Sequence, residues 1–387
     1  MKLIKNGTVM TMGPQGTLQA DILIENGKIV DIAEKITAEG AEIIDASGLL
    51  VLPGLVDAHS HIGGFDTKTG AQDLNESVNP ITAQLNAYDG VDPLSPQFAS
   101  ALETGITASG IVPGSANVIC GLGCVIKSAG ASLAERCVKQ PFALKAAVGG
   151  NPKGVYGKRN QSPMTRMAIA ETIREYFHQV QDYRQKKQEA KADPAKMPKF
   201  DQGLENGELV LDKKIPLKIH VYQHDILTCI ELAKEFDIRI TIDHALGSSD
   251  FLDEIEAEKD RLAIIYGPIG AQKGPNELHL VDTGCLKDLD ERGVLCAIMT
   301  DGPARNPWMI LAQAGEAVRF GCPAERVLRM ITINAATILG CEDRIGSLEV
   351  GKDADLVLFD QNPVVSTAAK ALLTMVDGEV VYRRSSL

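Results

Sequence analysis

Both ends of the chain show the alternating apolar pattern of antiparallel strands. Near the start, two short apolar runs flank Asn26-Gly27, a dipeptide that favours a two-residue hairpin turn. Near the end, residues 354–359 form an apolar run, and residues 375–382 repeat the hairpin pattern around an Asp-Gly pair. We therefore predict that residues 1–53 and 350–387 pair into one small β-sandwich domain.

The middle of the chain changes to short apolar segments that alternate with helical stretches. This alternation predicts parallel strands joined by crossover helices. Eight such strands within residues 54–349 predict an α/β fold, a TIM-like (β/α)₈ barrel. The predicted strands lie near 54–59, 106–112, 118–126, 142–149, 216–221, 238–243, 262–266 and 294–300. The predicted helices cover 165–190, 225–236, 284–292, 307–320 and 324–339.

Composition narrows the classes of function. The 387 residues are 44% hydrophobic and 23% charged, as in a folded globular protein, and the net charge is −12. Binding to nucleic acid or to an anionic membrane needs clustered positive charge, so this acidity argues against both partners. No apolar run approaches the roughly 20 residues of a membrane span, and the first residues lack a secretion signal. Eight cysteines without a Cys-x-x-Cys pair indicate a reduced, cytoplasmic protein.

Ligand-type side chains stand where four of the predicted strands end. His59 and His61 form a His-x-His pair at the end of an apolar strand, and strand alternation points both imidazoles to one face. Two further strands end in His220 and His244, and a fourth ends in Asp301. Each residue alone is also compatible with a core histidine or a helix cap. In a parallel barrel, however, these ends share one mouth, and imidazole with carboxylate suits zinc or a similar divalent metal.

These motifs resemble the metal-dependent amidohydrolase superfamily, and the resemblance covers nearly the whole chain. It begins at Leu-Pro-Gly-Leu-Val-Asp-Ala before the His-x-His pair and passes through His220, His244 and Thr300-Asp301. It ends with the late motif Gly-Ser-Leu-Glu-Val-Gly-Lys-Asp-Ala-Asp-Leu. Residues 107–127 and 151–167 look like the imidazolonepropionase-like branch. The resemblance implies a barrel enzyme in which both chain ends build a β-sandwich beside the barrel.

The resemblance also implies a zinc site made of the strand-end residues. His59, His61 and Asp301 would hold one zinc ion, and His220 and His244 would hold a second. In one-metal relatives, His220 joins the first site and His244 binds substrate or water. Asp301 and His244 would be the catalytic residues, with Asp301 carrying a proton from the attacking water to the leaving nitrogen.

One position departs from the family pattern and bears on the number of metal ions. Two-metal relatives carry a bridging carboxylated lysine or an acid near the end of the third or fourth strand, and this branch often reads Gly-Glu-Asn-Pro-Lys there. Here Gly150 stands in the glutamate position, and Lys145 is expected to lie too deep in its strand to reach the mouth. Two dications without an anion between them repel strongly. We therefore expect one tightly held zinc ion, with any second ion held weakly.

Four further residues are candidates for substrate binding. His279 follows the seventh strand, where barrel loops reach the substrate, although an ordinary loop position explains it equally well. Tyr222 follows the fifth strand, and the nearby His224 is interpreted as the start of the next helix. Lys153 and Arg166 are placed to grip a substrate carboxylate, for which arginine offers a bidentate pair.

The combined motifs predict a hydrolase that cleaves a C–N bond of a small molecule, in an amide, a cyclic amide or an amidine. A heterocycle deaminase or a dipeptidase would use the same site. A non-catalytic oligomeric scaffold of this fold is the alternative from another class, but a scaffold has no need of the strand-end histidines and aspartate. The expected partners are a small-molecule substrate and further copies of the chain in a homo-oligomer.

Overall fold

A computed structural model describes residues 1–65, 69–223, 225–269 and 282–385. Within these residues the chain forms two eight-stranded sheets and eleven α-helices. The strands are β1 (Lys2–Met10), β2 (Thr17–Glu25), β3 (Lys28–Ala33), β4 (Glu42–Asp45), β5 (Leu50–Pro53), β6 (Leu55–Ser60), β7 (Ile106–Ile111), β8 (Ile119–Lys127), β9 (Cys137–Ala147), β10 (Leu217–Tyr222), β11 (Ile240–Leu246), β12 (Leu262–Tyr266), β13 (Cys296–Ile298), β14 (Leu356–Phe359), β15 (Ala371–Val376) and β16 (Glu379–Arg383).

Most of the helices lie in the connections between successive barrel strands or after the last one. They are α1 (Pro96–Thr104), α2 (Leu133–Arg136), α3 (Gly150–Gly157), α4 (Arg166–Ala190), α5 (Gln202–Leu211), α6 (Asp225–Glu235), α7 (Leu252–Ala257), α8 (Cys285–Glu291), α9 (Met309–Arg319), α10 (Ala324–Met330) and α11 (Ile333–Leu339). Local signals fix their ends: the Ser95 side chain caps α1 before Pro96, and Gly105 ends it in the left-handed region at φ 94°. The predicted helix over 324–339 is two helices, because the chain breaks helical geometry at Thr332.

The first sheet is a nearly closed barrel made of β6 to β13. Its strands neighbour one another in sequence order, and each is buried along most of its length. Beyond β13, a bridge joins Gly302 to Ser60 in β6, and the His61 amide donates to the Gly302 carbonyl at 2.6 Å. The predicted α/β barrel is therefore confirmed at the level of the fold.

One barrel strand runs against the predicted direction. β8 pairs antiparallel with both β7 and β9, whereas the other barrel pairs are parallel. The expectation of eight parallel strands is wrong here. The cause is the length of the connection, because residues 112–118 are too few for a crossover helix and long enough for a hairpin. The first residues of β8 therefore lie at the same end of the barrel as the last residues of its neighbours.

The second sheet joins the two ends of the chain. Its order is β16-β15-β14-β5-β1-β2-β3, with β4 paired to β1, and the link between the two ends is the antiparallel pair β14–β5. One apolar cluster contains residues from both ends, including Ile4, Ile22, Val51, Leu356 and Met375. The two-layer sandwich and the domain boundaries at 53 and 350 stay predictions.

A buried lysine connects the barrel to the second sheet. The Lys127 ammonium, at the end of β8, donates to Asp353 at 2.7 Å, to Asp355 at 3.1 Å and to Asp377 at 2.6 Å. Arg344 adds a further cation beside Asp353 at 2.8 Å. Burial raises the pKa of Asp355 to about 6 against the opposing effect of Lys127. Lys127 thus links the barrel to the second sheet through ion pairs with three carboxylates.

In the part of the chain that the structure describes, no helix has both the length and the apolar character needed to cross a membrane.

Lys127→Ala tests whether this link stabilises the fold. Removing the cation leaves the buried Asp355 carboxylate without its cationic partner, so the free energy of unfolding should fall by about 3–5 kcal/mol. Urea unfolding followed by circular dichroism measures the change. Lys196→Ala removes a lysine whose pair with Asp193 is exposed, and should change stability by less than about 0.5 kcal/mol. Equal effects of the two substitutions would contradict the assignment.

Candidate metal centre

Four strands deliver polar side chains to one end of the barrel. β6 ends at His59 and Ser60, β10 carries His220, β11 carries His244, and Asp301 follows β13. Parallel strands open their carboxyl ends onto the same mouth, so these side chains meet there. Nitrogen and oxygen atoms of His59, His244 and Asp301 all lie within 4.8 Å of one another, which is the spacing of ligands around one ion.

The His-x-His pair brackets the Asp301 carboxylate. His61 Nε2 lies 3.3 Å and His59 Nε2 lies 3.6 Å from the same oxygen, Asp301 Oδ1. The two imidazoles stand edge to face, with their centroids 5.2 Å apart. Both nitrogens therefore point toward the carboxylate and toward the space that it shares with His244.

Three histidines are held through their other ring nitrogen by oxygen acceptors. His59 Nδ1 donates to Asp243 Oδ2 at 2.6 Å, His61 Nδ1 to the Val112 carbonyl at 2.7 Å, and His244 Nδ1 to the Gly267 carbonyl at 2.9 Å. Such bonds fix the tautomer with its lone pair on Nε2, the form that binds a metal ion.

The donor set fits a divalent metal ion. His59 Nε2 is buried and has no hydrogen-bond partner among the described residues, although buried polar atoms almost always have one. A ligand bond to an ion would satisfy this nitrogen. Imidazole nitrogens with one carboxylate form a set typical of zinc.

Burial puts these groups in the protonation states that metal binding needs. It lowers the pKa of His59 and His220 well below the usual value, and it also lowers the pKa of His244. For Asp301, burial acts to raise the pKa, but a hydrogen bond from His61 and the charge of the neighbouring histidines, when those rings are protonated, outweigh it and lower the pKa. The lowered pKa values favour neutral imidazoles at His59, His220 and His244 and an ionised carboxylate at Asp301.

His220 lies beside this cluster with a different set of contacts. Its ring centroid is 4.1 Å from that of His244, and its Nε2 accepts a hydrogen bond from Asn151 Nδ2 at 3.1 Å. Its Nδ1 is buried without a partner among the described residues. Asn151 directly follows Gly150, so the chain places an amide beside His220 and no acid at position 150.

The backbone bends sharply where the ligand residues occur. His244 and Asp301 adopt left-handed conformations with φ of 67° and 56°. Residues other than glycine rarely adopt such φ values, and when they do the position is often functional. At His244 the bend lets two consecutive residues, Asp243 and His244, both face the interior of the barrel, whereas a regular strand would turn one of them away.

Lys145 lies closer to the site than the sequence indicates. Its side chain is buried in β9, and its ammonium donates to Ser115 Oγ at 2.8 Å, in the hairpin that reaches the mouth. Its charge is one of the causes that lower the pKa of His59, His220 and His244. The expectation that Lys145 is remote from the mouth is therefore wrong. As an ammonium it adds positive charge and supplies no bridging anion.

The predicted substrate-binding residues have different surroundings. The Tyr222 ring lies 4.9 Å from His220 and 5.2 Å from His244, at the mouth itself. Arg166 Nε pairs with Asp225 Oδ2 at 2.7 Å, and Lys153 is exposed on α3. His279 and His224 lie outside the described residues.

Several residues of the site were absent from the sequence interpretation. They are Asp57, Ser115, Asn151, Lys218 and Asp243. Asp57 accepts from the Thr300 amide at 3.1 Å and from the Thr300 hydroxyl, and burial raises its pKa to about 6. The signal that could have found Asp57 and Lys218 is their position two residues before His59 and His220, on the same strand faces.

Comparison with known proteins assigns the chain to a family. The model of the Amidohydrolase family matches residues 50–381, and the chain belongs to this family. The solved structure of an amidohydrolase from Thermotoga maritima MSB8 matches with a TM-score of 0.95 at 39% identity, over 99% of this chain and 100% of that chain. The predicted superfamily is thereby confirmed.

Two curated relatives match most of the chain at lower identity. Amidohydrolase tasK of Hapsidospora irregularis is 28% identical over 94% of this chain, which spans 40% of that relative's length. A 5′-deoxyadenosine deaminase of Methanosarcina acetivorans is 27% identical over 92% of this chain and 84% of its own length. Members of the family are hydrolases that act on C–N bonds, and they typically bind divalent metals.

Replacing His59 and His61 together by alanine should abolish metal retention and leave the barrel folded, because both side chains lie at the mouth, where this fold carries function rather than stability. Metal content per chain after dialysis against zinc, with circular dichroism as the check on folding, measures this. His178→Ala, on the exposed side of α4, is the matched control and should keep the metal. A double variant that retains a full equivalent of zinc would show that the site lies elsewhere.

Asp57→Asn tests the raised pKa in chelator-treated protein. The folded pKa of about 6 lies above the ordinary aspartate value of about 3.9, so Asp57 contributes stability that is present below pH 4 and lost as the pH rises through 6. Between these limits the wild type should lose about 2–3 kcal/mol relative to the variant. Urea unfolding of both proteins across pH 4–8 measures the difference. A difference that stays constant with pH would contradict the shift.

Proposed function

We propose that the protein is a metal-dependent hydrolase that cleaves a C–N bond in an amide, a cyclic amide or an amidine of a small molecule. The observation that carries this proposal is the cluster of His59, His244 and Asp301 at the barrel mouth, in which both Nδ1 atoms are tied to oxygen and His59 Nε2 has no hydrogen-bond partner among the described residues. Membership of the amidohydrolase family supports it.

The residues that would hold the ion are His59, His61, His244 and Asp301, with His220 completing or extending the set. Zinc suits these ligands best. When bound, a divalent cation supplies Lewis acidity to the attacking water and to the carbonyl or amidine carbon. We infer one tightly held ion, because the chain has Gly150 and no acid where a bridging group would stand.

Asp301 is the proposed base. Its lowered pKa keeps the carboxylate ionised at neutral pH, and its position against His59 and His61 places it within reach of a water at the shared ligand space. In this scheme the carboxylate takes a proton from the attacking water and then donates it to the leaving nitrogen. His244 is the second catalytic residue, since its ring lies between His59 and His220.

Tyr222 is the strongest candidate for substrate contact, because its ring borders both His220 and His244. Lys153, Arg166 and His279 stay proposed substrate-binding residues on the sequence argument. A compact substrate is favoured, because the four histidines of the site are almost fully buried, with Asp301 partly exposed beside them.

A heterocycle deaminase is the second candidate function. The relative that supports it is the 5′-deoxyadenosine deaminase, which this chain matches over most of both lengths. The same type of metal site can activate water for attack on an amidine carbon as well as on a carbonyl. The products distinguish the two reactions, because a deaminase releases ammonia without forming a carboxylate, whereas an amide hydrolase forms a carboxylate and an amine. A dipeptidase would release amino acids, and a scaffold would turn over nothing.

We also propose the imidazolonepropionase-like branch, a cytoplasmic location and a homo-oligomer. The cytoplasmic location is supported by the eight cysteines, which are all free thiols in the structure and mostly buried. The homo-oligomer stays a proposal that sedimentation of the purified protein would test.

Asp301→Asn tests the mechanism on the first substrate found in a panel of cyclic amides, aminopurines and dipeptides. The amide keeps the shape and removes the basicity, so turnover should fall by roughly 10²–10⁴-fold. Zinc content is measured on the same sample, because Asp301 is also a proposed ligand. Asp343→Asn, an exposed aspartate outside the site, should keep full turnover. If Asp301→Asn retains its full zinc content and near-normal turnover, Asp301 is not the base, and another residue takes the proton.

A further inference from the structure

A buried ion pair lies directly beneath His59. Asp243 on β11 and Lys218 on β10 are both fully buried, and Lys218 Nζ lies 2.8 Å from Asp243 Oδ2. The same oxygen accepts from His59 Nδ1 at 2.6 Å. One carboxylate oxygen therefore joins a lysine and a proposed metal ligand.

The pair contacts both the ring and the backbone of His59. Lys218 Nζ also donates to the Ala58 carbonyl at 3.2 Å, one residue before His59 in β6. The second oxygen of Asp243 accepts from Thr241 Oγ1 at 2.9 Å, which fixes the carboxylate within its own strand. The side chain and the main chain at His59 are thus tied to the neighbouring strands β10 and β11 through two charged groups.

Stability alone is a poor explanation for these charges. The interior of a (β/α)₈ barrel is normally filled by apolar branched side chains. A buried ion pair is often no more stabilising than apolar residues of the same volume, because both ions lose their hydration. Here Lys218 also lies in register with a second buried lysine, Lys145 on β9, which adds like charge to the same layer. The arrangement calls for a role beyond packing.

His59 differs from the other histidines of the site in its partner. His61 and His244 donate to backbone carbonyls, whereas His59 donates to an anionic carboxylate. A carboxylate partner makes the imidazole a stronger donor to a metal ion and holds the ring orientation. Among these three histidines, His59 is also the most deeply buried, with 0% exposure against 7% for His61 and 2% for His244.

We propose that Asp243 and Lys218 are positioning residues that hold His59 in the metal-binding tautomer and orientation. Asp243 keeps the proton on Nδ1 and the lone pair of Nε2 aimed at Asp301, and Lys218 holds Asp243 in place as an anion. This inference rests on the proposed metal-dependent function, and it assigns the ion pair to the metal centre rather than to the stability of the barrel.

The test compares zinc affinity, by competition with a chromophoric chelator, in the wild type and in Asp243→Asn. Losing the carboxylate should weaken zinc binding by 10–100-fold, the usual effect of such outer partners. The visible spectrum of the cobalt(II)-substituted protein should also change, because the ligand field depends on the orientation of the His59 ring. Thr241→Val removes another partner of Asp243 without touching His59, and should change zinc affinity by no more than a few fold.

A double variant separates positioning from stability. Asp243→Asn with Lys218→Met leaves no lone buried charge, so the melting temperature of the metal-free protein should fall less than in Lys218→Met alone. Zinc affinity should stay as weak as in Asp243→Asn. If the single variant does not fold, the double variant alone decides the result.

Wild-type zinc affinity together with an unchanged cobalt spectrum in these variants would overturn the positioning role and leave the proposed function intact. A wild-type protein that binds neither zinc nor cobalt would instead overturn the proposed function, and this inference with it.

Discussion

One set of hydrogen bonds both closes the barrel and brings the proposed metal ligands together. The Asp301 amide donates to the His59 carbonyl at 3.1 Å, the His61 amide donates to the Gly302 carbonyl at 2.6 Å, and the Asp57 carboxylate accepts from the Thr300 amide. These bonds join the first and last barrel strands through residues adjacent to the ligands. Closure of the barrel therefore sets the distance between the His-x-His pair and Asp301, and the site forms when the barrel closes.

The same constraint explains which parts of the site could be predicted from the sequence. His59, His61, His220, His244 and Asp301 end apolar segments, and the ends of parallel strands share a mouth by geometry alone. Asp243 could not be predicted from alternation, since a residue next to His244 should face away from it. The left-handed backbone at His244 breaks that rule, and neither of its neighbours, Asp243 and Ala245, is a glycine or proline that would indicate the bend.

The direction of β8, in contrast, could have been predicted from the sequence, but the count of apolar segments did not show it. Eight apolar segments suggested eight parallel strands, but the gap of five residues between the predicted second and third strands is too short for a crossover. The hairpin that results carries Val112 and Ser115 to the mouth, where they contact His61 and Lys145. The short connection therefore determined the antiparallel direction of β8. Its residues also make two contacts of the site.

Charge within the mouth bears on how many ions it can hold. Three buried carboxylates, Asp57, Asp243 and Asp301, stand against two ammonium groups, Lys145 and Lys218, so these groups leave about one net negative charge before any ion binds. One dication then makes the site positive, which suits an attacking hydroxide and a developing oxyanion. A second dication 4 Å away would add a repulsion of about 16 kcal/mol at an effective dielectric constant of about 20. An anion between the two ions would offset such repulsion, and Gly150 provides none. This balance of charge supports the proposal of one tightly held ion.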